Sequence, residues 1–225
     1  MAEKINILYE DNHLLVVEKP INVLSQADNT QEEDMVNRLK EFIKVRDHKP
    51  GNVFIGLVHR LDRPVGGLMV FSKTSKAASR LSNALRCHTF QKGYLAIVDS
   101  VSLPKEDTLE DYLYKDNQKN RVFVVDKKKG KYARLHYEVL AQKQGKSFVR
   151  IALETGRPHQ IRVQFSSRNW PLVNDQRYHP HPTKAPICLF AYKLSFPHPT
   201  KKEVMRFELH PKADGAWSLF KEVLS

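Results

Sequence analysis

The stretch LVHRLDRPVGGLMVFSKT, residues 57–74, has the pattern of a strand, a charged turn and a second strand. One apolar run, 53–58, leads into the turn, and a second, 68–71, follows it. Gly66 and Gly67 permit positive φ, or the close approach of a ligand to the backbone. We therefore predict a rigid, charged turn between two short strands.

Asp62 lies at the start of this turn, between Arg60 and Arg63. Two guanidinium groups beside a carboxylate favour its ionised form. An ionised, positioned aspartate serves as a nucleophile, as a base or as one half of an ion pair. On residue chemistry alone the structural ion pair is the commoner outcome, and the residues leave both interpretations of Asp62 open.

The composition predicts a folded protein with a polyanionic partner. The chain has 225 residues, is 41% hydrophobic, and carries a formal net charge of +12 from 37 basic and 25 acidic residues. Such an excess favours nucleic acid as the partner, with an anionic membrane surface second. No apolar stretch is long enough to span a bilayer, so we expect no membrane protein.

The cysteines and histidines predict a cytoplasmic protein without a metal. Cys87 and Cys188 lack paired spacing, which fits a reducing compartment. Residues 1–4 include an acid and lead directly into a β-rich run, unlike a signal peptide. No HExxH or dinucleotide-binding pattern is present. The clustered histidines each precede a proline, which is typical of loops: His179, His181, His198 and His210.

Periodicity predicts an α+β chain, in which neighbouring strands pair and few helices intervene. Helices are expected at 34–47, with Asp34 as N-cap, at 75–85, with Ser75 as N-cap, and from Pro158, at the first helical position, to residue 168. Strands are expected at 5–9, 14–17, 92–98, 109–114, 122–125, 133–141, 147–153 and 188–196.

The helix expected after Pro158 carries Arg157, His159 and Arg162 near its positive end, an arrangement that favours a nearby anion. A polar loop is expected at 102–107, and after the strands at 109–114 and 122–125, which look like a hairpin, comes a basic tip, Lys-Lys-Lys-Gly-Lys at 127–131. We predict a solvated loop there, a setting from which lysines also reach phosphates.

The sequence HRLD at 59–62, followed by GLMVFSKT at 67–74, resembles the catalytic motif of the RluA-type pseudouridine synthases. That motif reads HRLDxxTSG before an apolar strand and a Lys-Thr, and Val65 and Gly66 here replace its Thr and Ser. Further similar segments follow in family order: ILYEDNHLLVVEKPINVLSQ at 7–26, KGY at 92–94, TGRPHQIR at 155–162, PLVNDQRY at 171–178 and LFAYKLSFPHP at 189–199.

The resemblance implies a bent, mixed, mostly antiparallel sheet with peripheral helices and a central active-site cleft. It covers nearly the whole chain, so we expect one catalytic domain over residues 1–225. Many relatives carry an added RNA-binding domain before the catalytic one. Strand-like residues here begin at Ile5, which leaves no room for it.

The function that the resemblance implies is the isomerisation of uridine to pseudouridine in ribosomal or transfer RNA. The uracil leaves the ribose, turns while it is still held, and rejoins the ribose through carbon. No cofactor is required, and the expected partner is RNA, bound by a monomer. Asp62 becomes the essential carboxylate, either as nucleophile or as base on the sugar.

The resemblance also implies roles for further residues. Because Asp62 cannot reach a stacked base, the uridine leaves its helix, and Arg60 fills the vacated space. Tyr94 stacks on the uracil and lies where the last carbon proton is removed. The remaining implied residues are Arg157 as the ion-pair partner of Asp62, with Arg162 the less favoured choice, and Ile187 with Leu189 as an apolar wall.

Two alternatives remain. One is an inactive RNA-binding protein of the same fold, against which the intact Asp62, Tyr94 and Arg157 argue. The other is a uridine-directed glycosidase, which generally needs two carboxylates, and Asp175 is a conceivable second one.

Overall fold

A computed structural model describes residues 5–30 and 32–224, so the expectation that residues 1–4 are unlike a signal peptide falls on residues outside it. The chain divides into two compact units. The first unit comprises Met1–Gln91 with Lys193–Leu209, and the second comprises Lys92–Tyr192 with His210–Ser225. One catalytic domain over the whole chain stays a prediction.

The fold class is α+β with a mixed, mostly antiparallel sheet, as predicted. The strands are β1 (Ile7–Glu10), β2 (Leu14–Lys19), β3 (Gly56–Leu57), β4 (Gly66–Ser72), β5 (Gln91–Val98), β6 (Glu106–Asp116), β7 (Arg121–Val125), β8 (Lys131–Lys143), β9 (Lys146–Leu153), β10 (Leu189–Pro197) and β11 (Val204–Glu208). The helices are α1 (Met35–Arg46), α2 (Ser75–Arg86), α3 (Gln160–Ser166) and α4 (Lys221–Leu224), the last preceded by a 3-10 segment, Gly215–Phe220.

In the first unit, β2 pairs with both β1 and β4, β3 pairs with β4, and β11 pairs with β10. Apolar side chains on one face of β2 and β4 form a core with Leu81 of α2 and Phe196 of β10. At the end of β2, Lys19 lies opposite Gly67 of β4. This register brings the Lys-Pro turn beside the segment that contains Asp62.

Two expectations for the first unit need correction. The N-cap of α2 is Thr74 rather than Ser75, because Thr74 is extended and its hydroxyl accepts a hydrogen bond from the Ala77 amide at 3.2 Å. The predicted strand at 53–58 shrinks to β3, since only Gly56 and Leu57 pair with β4. Asp34 caps α1 as predicted.

In the second unit the strand order is β5-β9-β8-β6-β7, and each of these pairs is antiparallel. The strands predicted in this region form antiparallel hairpins, although β6 begins at Glu106, inside the loop expected at 102–107. One core cluster joins Leu113, Val122 and Ala133 of the sheet to Val163 of α3 and to Tyr178.

The helix α3 begins later than predicted and ends earlier. His159 precedes it with φ 50°, a left-handed conformation that cannot continue into a helix, so Pro158 is not its first residue. The helix has 7 residues, and Arg162 within it is buried. The expected anion site at a helix start therefore has no support in the geometry.

Candidate active site

The turn that contains Asp62 alternates between buried and exposed side chains. His59 and Leu61 are buried, Arg60 is exposed, and Asp62 is partly exposed. The Val65 amide donates to the Asp62 carbonyl at 3.0 Å and closes the turn. Beyond it, Gly67 has φ 118°, a conformation that side-chain-bearing residues rarely adopt. The buried side chains anchor the segment, and Asp62 keeps access to solvent.

Ser25 fixes the residue immediately before Asp62. Its buried hydroxyl donates to the Leu61 carbonyl at 2.8 Å and accepts from the Leu61 amide at 3.0 Å. Both backbone groups of Leu61 are thus satisfied by one side chain. Since buried hydrogen bonds of this kind are costly to break, Ser25 restricts the backbone that leads to Asp62.

Lys19 fixes the residue immediately after Asp62. Its side chain is fully buried, and Nζ donates to the carbonyls of Pro20 at 2.8 Å, Val23 at 2.7 Å and Arg63 at 3.1 Å. Burial lowers the pKa of Lys19 to about 7, and the Asp62 carboxylate opposes that shift. Sequence reasoning identified this lysine only as part of a turn, although its position two residues after the buried Val17, on the same face of β2, is a signal of burial.

His59 has a structural contact on the inner side of the turn. Its Nε2 accepts a hydrogen bond from the Val70 amide of β4 at 3.2 Å, and its ring lies 5.5 Å from that of Phe90. An accepting Nε2 places the proton of the neutral ring on Nδ1. His59 therefore holds the turn against β4.

Tyr94 lies in the second unit, on β5, where it is 6% exposed and pairs in register with Ile151. Two residues earlier on the same strand, burial lowers the pKa of Lys92. Its Nζ lies 2.9 Å from the position that a Cβ would take at residue 156. A glycine at 156 therefore allows the TGRPHQIR segment to approach β5 closely.

Arg162 and Asp175 form a buried, bidentate ion pair, with Nε–Oδ2 at 2.8 Å and Nη2–Oδ1 at 2.7 Å. The Asp175 carboxylate also accepts from the amides of Arg177 and Tyr178. Burial acts to raise the pKa of Asp175, but these hydrogen bonds and the Arg162 charge hold it below its usual value. Such a fully satisfied carboxylate is suited to a structural role rather than to acid catalysis.

Gln160 organises the turn that carries Arg157. Its side-chain oxygen accepts from the Arg157 amide at 3.0 Å and from the Thr155 hydroxyl at 2.7 Å. Its amide nitrogen donates to the Arg134 carbonyl at 3.1 Å and to Gln164 at 3.0 Å. Sequence reasoning missed this residue, because only the fold shows which loop groups one glutamine joins.

The predicted site residues fall in both units. Arg60 and Asp62 belong to the first, and the predicted residues of the second are Tyr94, Arg157, Arg162, Ile187 and Leu189. Arg157 donates through Nε to the Tyr132 carbonyl at 2.8 Å. Ile187 and Leu189 are buried. Which arginine pairs with Asp62 stays a prediction.

Neither a metal site nor a membrane-spanning helix is found among the described residues. Within residues 5–30 and 32–224, no cluster of three or more potential ligands could hold a metal ion. His198 is instead paired with Asp11 at 2.7 Å, and His179 with Asp99 at 3.0 Å. Among the described helices, none is both long and apolar enough to cross a membrane.

Residues 13–167 match the family model described as RNA pseudouridylate synthase. This match covers more than half of the chain, and the chain therefore belongs to the RNA pseudouridylate synthase family. Its motifs are those of the RluA type, which confirms the resemblance derived from the sequence.

Curated relatives support this assignment over most of the chain. Ribosomal large subunit pseudouridine synthase D of Neisseria meningitidis serogroup B is 33% identical over 91% of this chain and 57% of the relative. The Pseudomonas aeruginosa protein of the same name is 36% identical over 78% of this chain and 53% of the relative. An uncharacterized RNA pseudouridine synthase of Aquifex aeolicus is 32% identical over 91% of this chain and 69% of the relative. The chain thus spans little more than half the length of the first two.

Solved structures confirm the fold. Human RNA pseudouridylate synthase domain containing 4 superimposes with a TM-score of 0.77 at 20% identity, covering 92% of this chain and 89% of that one. Human RNA pseudouridylate synthase domain containing 1 gives a TM-score of 0.73 at 21% identity, covering 94% and 84%.

Proposed function

We propose that the chain isomerises uridine to pseudouridine in RNA, with Asp62 as the essential carboxylate. The observation that carries the proposal is the construction of the Asp62 turn. Ser25 holds Leu61, Lys19 holds Arg63, and the side chain between these two fixed residues stays partly exposed. A reacting group benefits from this arrangement, because its position is set before the substrate arrives.

The reaction balances without a cofactor. The bond between uracil N1 and the ribose breaks, the uracil turns, and a bond forms between its C5 and the same ribose carbon. N1 gains a proton and C5 loses one, so substrate and product are isomers. Asp62 acts either by attacking the nucleotide or as base on the sugar, and both routes require one ionised carboxylate.

The other predicted residues keep their roles within this proposal. Arg60, exposed beside Asp62, fills the space that the flipped uridine leaves, and Tyr94 stacks on the uracil. Ile187 and Leu189 form the apolar wall. For the arginine that pairs with Asp62, the candidates differ in setting: Arg157 is partly exposed, while Arg162 is buried beside Asp175.

Ribosomal RNA is the proposed substrate, with transfer RNA second. The support is that relatives over most of the chain are named ribosomal large subunit pseudouridine synthase D. A cytoplasmic location belongs to the same proposal, because ribosomal RNA is encountered there. A monomer is expected.

The glycosidase alternative loses its second carboxylate, since Asp175 is buried in an ion pair with Arg162. Incubation with RNA labelled in its uracil rings separates the possibilities. We expect the label to appear as pseudouridine within the RNA chain. Release of free uracil would identify a glycosidase, and unchanged uridine across ribosomal and transfer RNA would indicate an inactive binding protein.

A further inference from the structure

One segment of the second unit concentrates the positive charge of the protein. Residues 112–132 contain seven basic and two acidic residues, an excess of five out of the formal +12 of the whole chain. The segment comprises the end of β6, all of β7 and the start of β8. Nothing in the proposed chemistry uses it.

The same segment exposes aromatic rings on one side of the sheet. Tyr114 lies directly opposite Phe123, and Tyr112 lies opposite Tyr132 with the two rings 5.7 Å apart. Tyr114 is 51% exposed, Tyr132 40% and Phe123 38%. We call these four residues the aromatic face.

The opposite side of these strands packs inward. Leu113, Val122 and Ala133 alternate with the exposed rings and pack against Val163 of α3. The strands are therefore held in place from beneath, and the rings of the aromatic face lie outside this core cluster.

Positive groups border the aromatic face. The turn at 126–130, closed by hydrogen bonds from the Lys129 and Gly130 amides to the Asp126 carbonyl, carries consecutive lysines. A Cβ at residue 130 would lie 2.7 Å from the Tyr112 backbone, so this turn packs directly against the aromatic face. At the other end of the aromatic face, the guanidinium of Arg121 lies 6.0 Å from the Phe123 ring centre.

A predicted site residue also adjoins this surface. Arg157 of the TGRPHQIR segment donates through Nε to the carbonyl of Tyr132, at 2.8 Å. The aromatic face is therefore continuous, within the second unit, with a segment to which the family resemblance gives a role in the reaction.

We propose that the aromatic face binds unpaired nucleotides of the RNA substrate by stacking, while Arg121 and the lysines at 127–131 neutralise their phosphates. The proposal rests on the proposed function, since it assigns part of the RNA path of that enzyme. Proteins bind single-stranded nucleic acids through exposed aromatic rings beside cations, because every unpaired base offers a π-face on which a ring can stack. A duplex hides those faces and would contact the lysines alone.

The test removes the rings and keeps the strands. The double variant Tyr114→Thr/Phe123→Thr retains β-branched residues, which strands favour. Its matched control, Tyr114→Phe/Phe123→Tyr, keeps both rings. Binding is measured by fluorescence anisotropy with a short single-stranded RNA of mixed sequence, and with the same strand annealed to its complement.

We expect the Thr variant to bind the single strand about 5- to 150-fold more weakly, the loss that corresponds to one stacked base. Duplex affinity and the control variant should match the parent. Parent-like single-strand affinity in the Thr variant would overturn the proposal. Phe123→Leu, which removes one ring but stays apolar, repeats the test if the double variant misfolds.

Two further readouts keep the outcomes separate. Sedimentation of the same variants would overturn the proposal if the parent self-associates and the Thr variant does not, because the rings would then serve a protein interface. Pseudouridine formation at saturating RNA is measured alongside. Ring-dependent binding without product would refute the proposed function alone, and product without ring-dependent binding would refute the stacking surface alone.

Discussion

Lys19 is the side chain that most directly links burial to the position of Asp62. Its Nζ donates to the carbonyls of Val23 and of Arg63, which are far apart in the chain. Three donors are needed to meet three carbonyls, and the ammonium group supplies them. The Arg63 carbonyl also accepts from the Asn22 amide at 2.8 Å, so two backbone connections hold this side of the turn.

Replacing Lys19 by Met keeps an unbranched chain and removes every donor. We expect a loss of about 1–3 kcal/mol in the free energy of unfolding for each buried carbonyl left without a donor. We also expect turnover to fall, because the Asp62 turn loosens. Denaturant unfolding and RNA turnover measure both. Lys44→Met, an exposed change in α1, is the control. Parent-like stability of Lys19→Met would refute the assigned role.

Tyr94→Phe retains the ring and removes only the hydroxyl. If Tyr94 stacks on the uracil and assists the last proton transfer, RNA binding should be unchanged while turnover falls about 100-fold or more, as for other acid–base groups. Single-turnover kinetics at saturating RNA, with a separate binding measurement, check this. Turnover close to that of the parent would make Tyr94 a core aromatic of β5 only.

At the residue scale, the sequence predicts what is local. Asp34 was recognised as an N-cap because its partners, the Val36 and Asn37 amides, follow within three positions. Lys19 and Ser25 were not recognised, because their partners on the turn are 44 and 36 positions away. Such contacts are defined only once β2 and β4 pair.

At the scale of elements, an ion-pair network joins β1 to α1 and to the residue that follows β4. Glu10 receives hydrogen bonds from Arg46 at 2.6 Å and from Lys73 at 2.6 Å. Arg46 holds the pKa of Glu10 down at about 2, with burial opposing and Lys73 contributing further. The network connects elements that are far apart in the chain.

This network predicts a pH dependence of stability. Because the folded state lowers the pKa of Glu10 from 4.5 to about 2, its stabilisation is present above pH 4.5 and is lost as the pH falls towards 2. Glu10→Gln should be less stable than the parent at neutral pH by about 1 kcal/mol or less, since the pair is partly exposed. Denaturant unfolding should show the difference shrinking between pH 4.5 and 2. A constant difference, like that of the exposed control Glu41→Gln, would contradict the assignment.

Strand positions were predicted well because the alternation of apolar and polar residues along a strand is visible in a single sequence, as in β8 and β9.

The helix α3 was misplaced for a physical reason. Pro158 is a favourable first helical residue, but His159 adopts a left-handed conformation, and its Nδ1 lies 2.8 Å from the Tyr178 hydroxyl. That contact depends on a residue beyond the helix, and local preference could not reveal it.

At the scale of the whole molecule, the formal charge of +12 predicts a salt-sensitive affinity for RNA. Each phosphate contact on a single strand changes the affinity by about 0.7 log units per log unit of salt. The turn after β7 is where exposed lysines concentrate: Lys127, Lys128, Lys129 and Lys131.

Exchanging those lysines for glutamine should weaken RNA binding and reduce the salt slope by up to about 3, with turnover of bound RNA unchanged. Titrations at several salt concentrations provide the measurement. A control with the same loss of charge replaces other exposed lysines: Lys44, Lys49, Lys143 and Lys212. Equal slopes in the two variants would mean that total charge, rather than this turn, governs binding.

The central claim is that Asp62 performs the isomerisation. When C5 of uracil bonds to the ribose, its hydrogen is released, so tritium at C5 reports the reaction directly. We predict that the parent and the exposed control Asp214→Asn release tritium from RNA and form pseudouridine. Asp62→Asn should bind RNA with the parent salt slope, unfold at the parent temperature and release none. Tritium release by a folded Asp62→Asn protein at a rate near that of the parent would contradict the account.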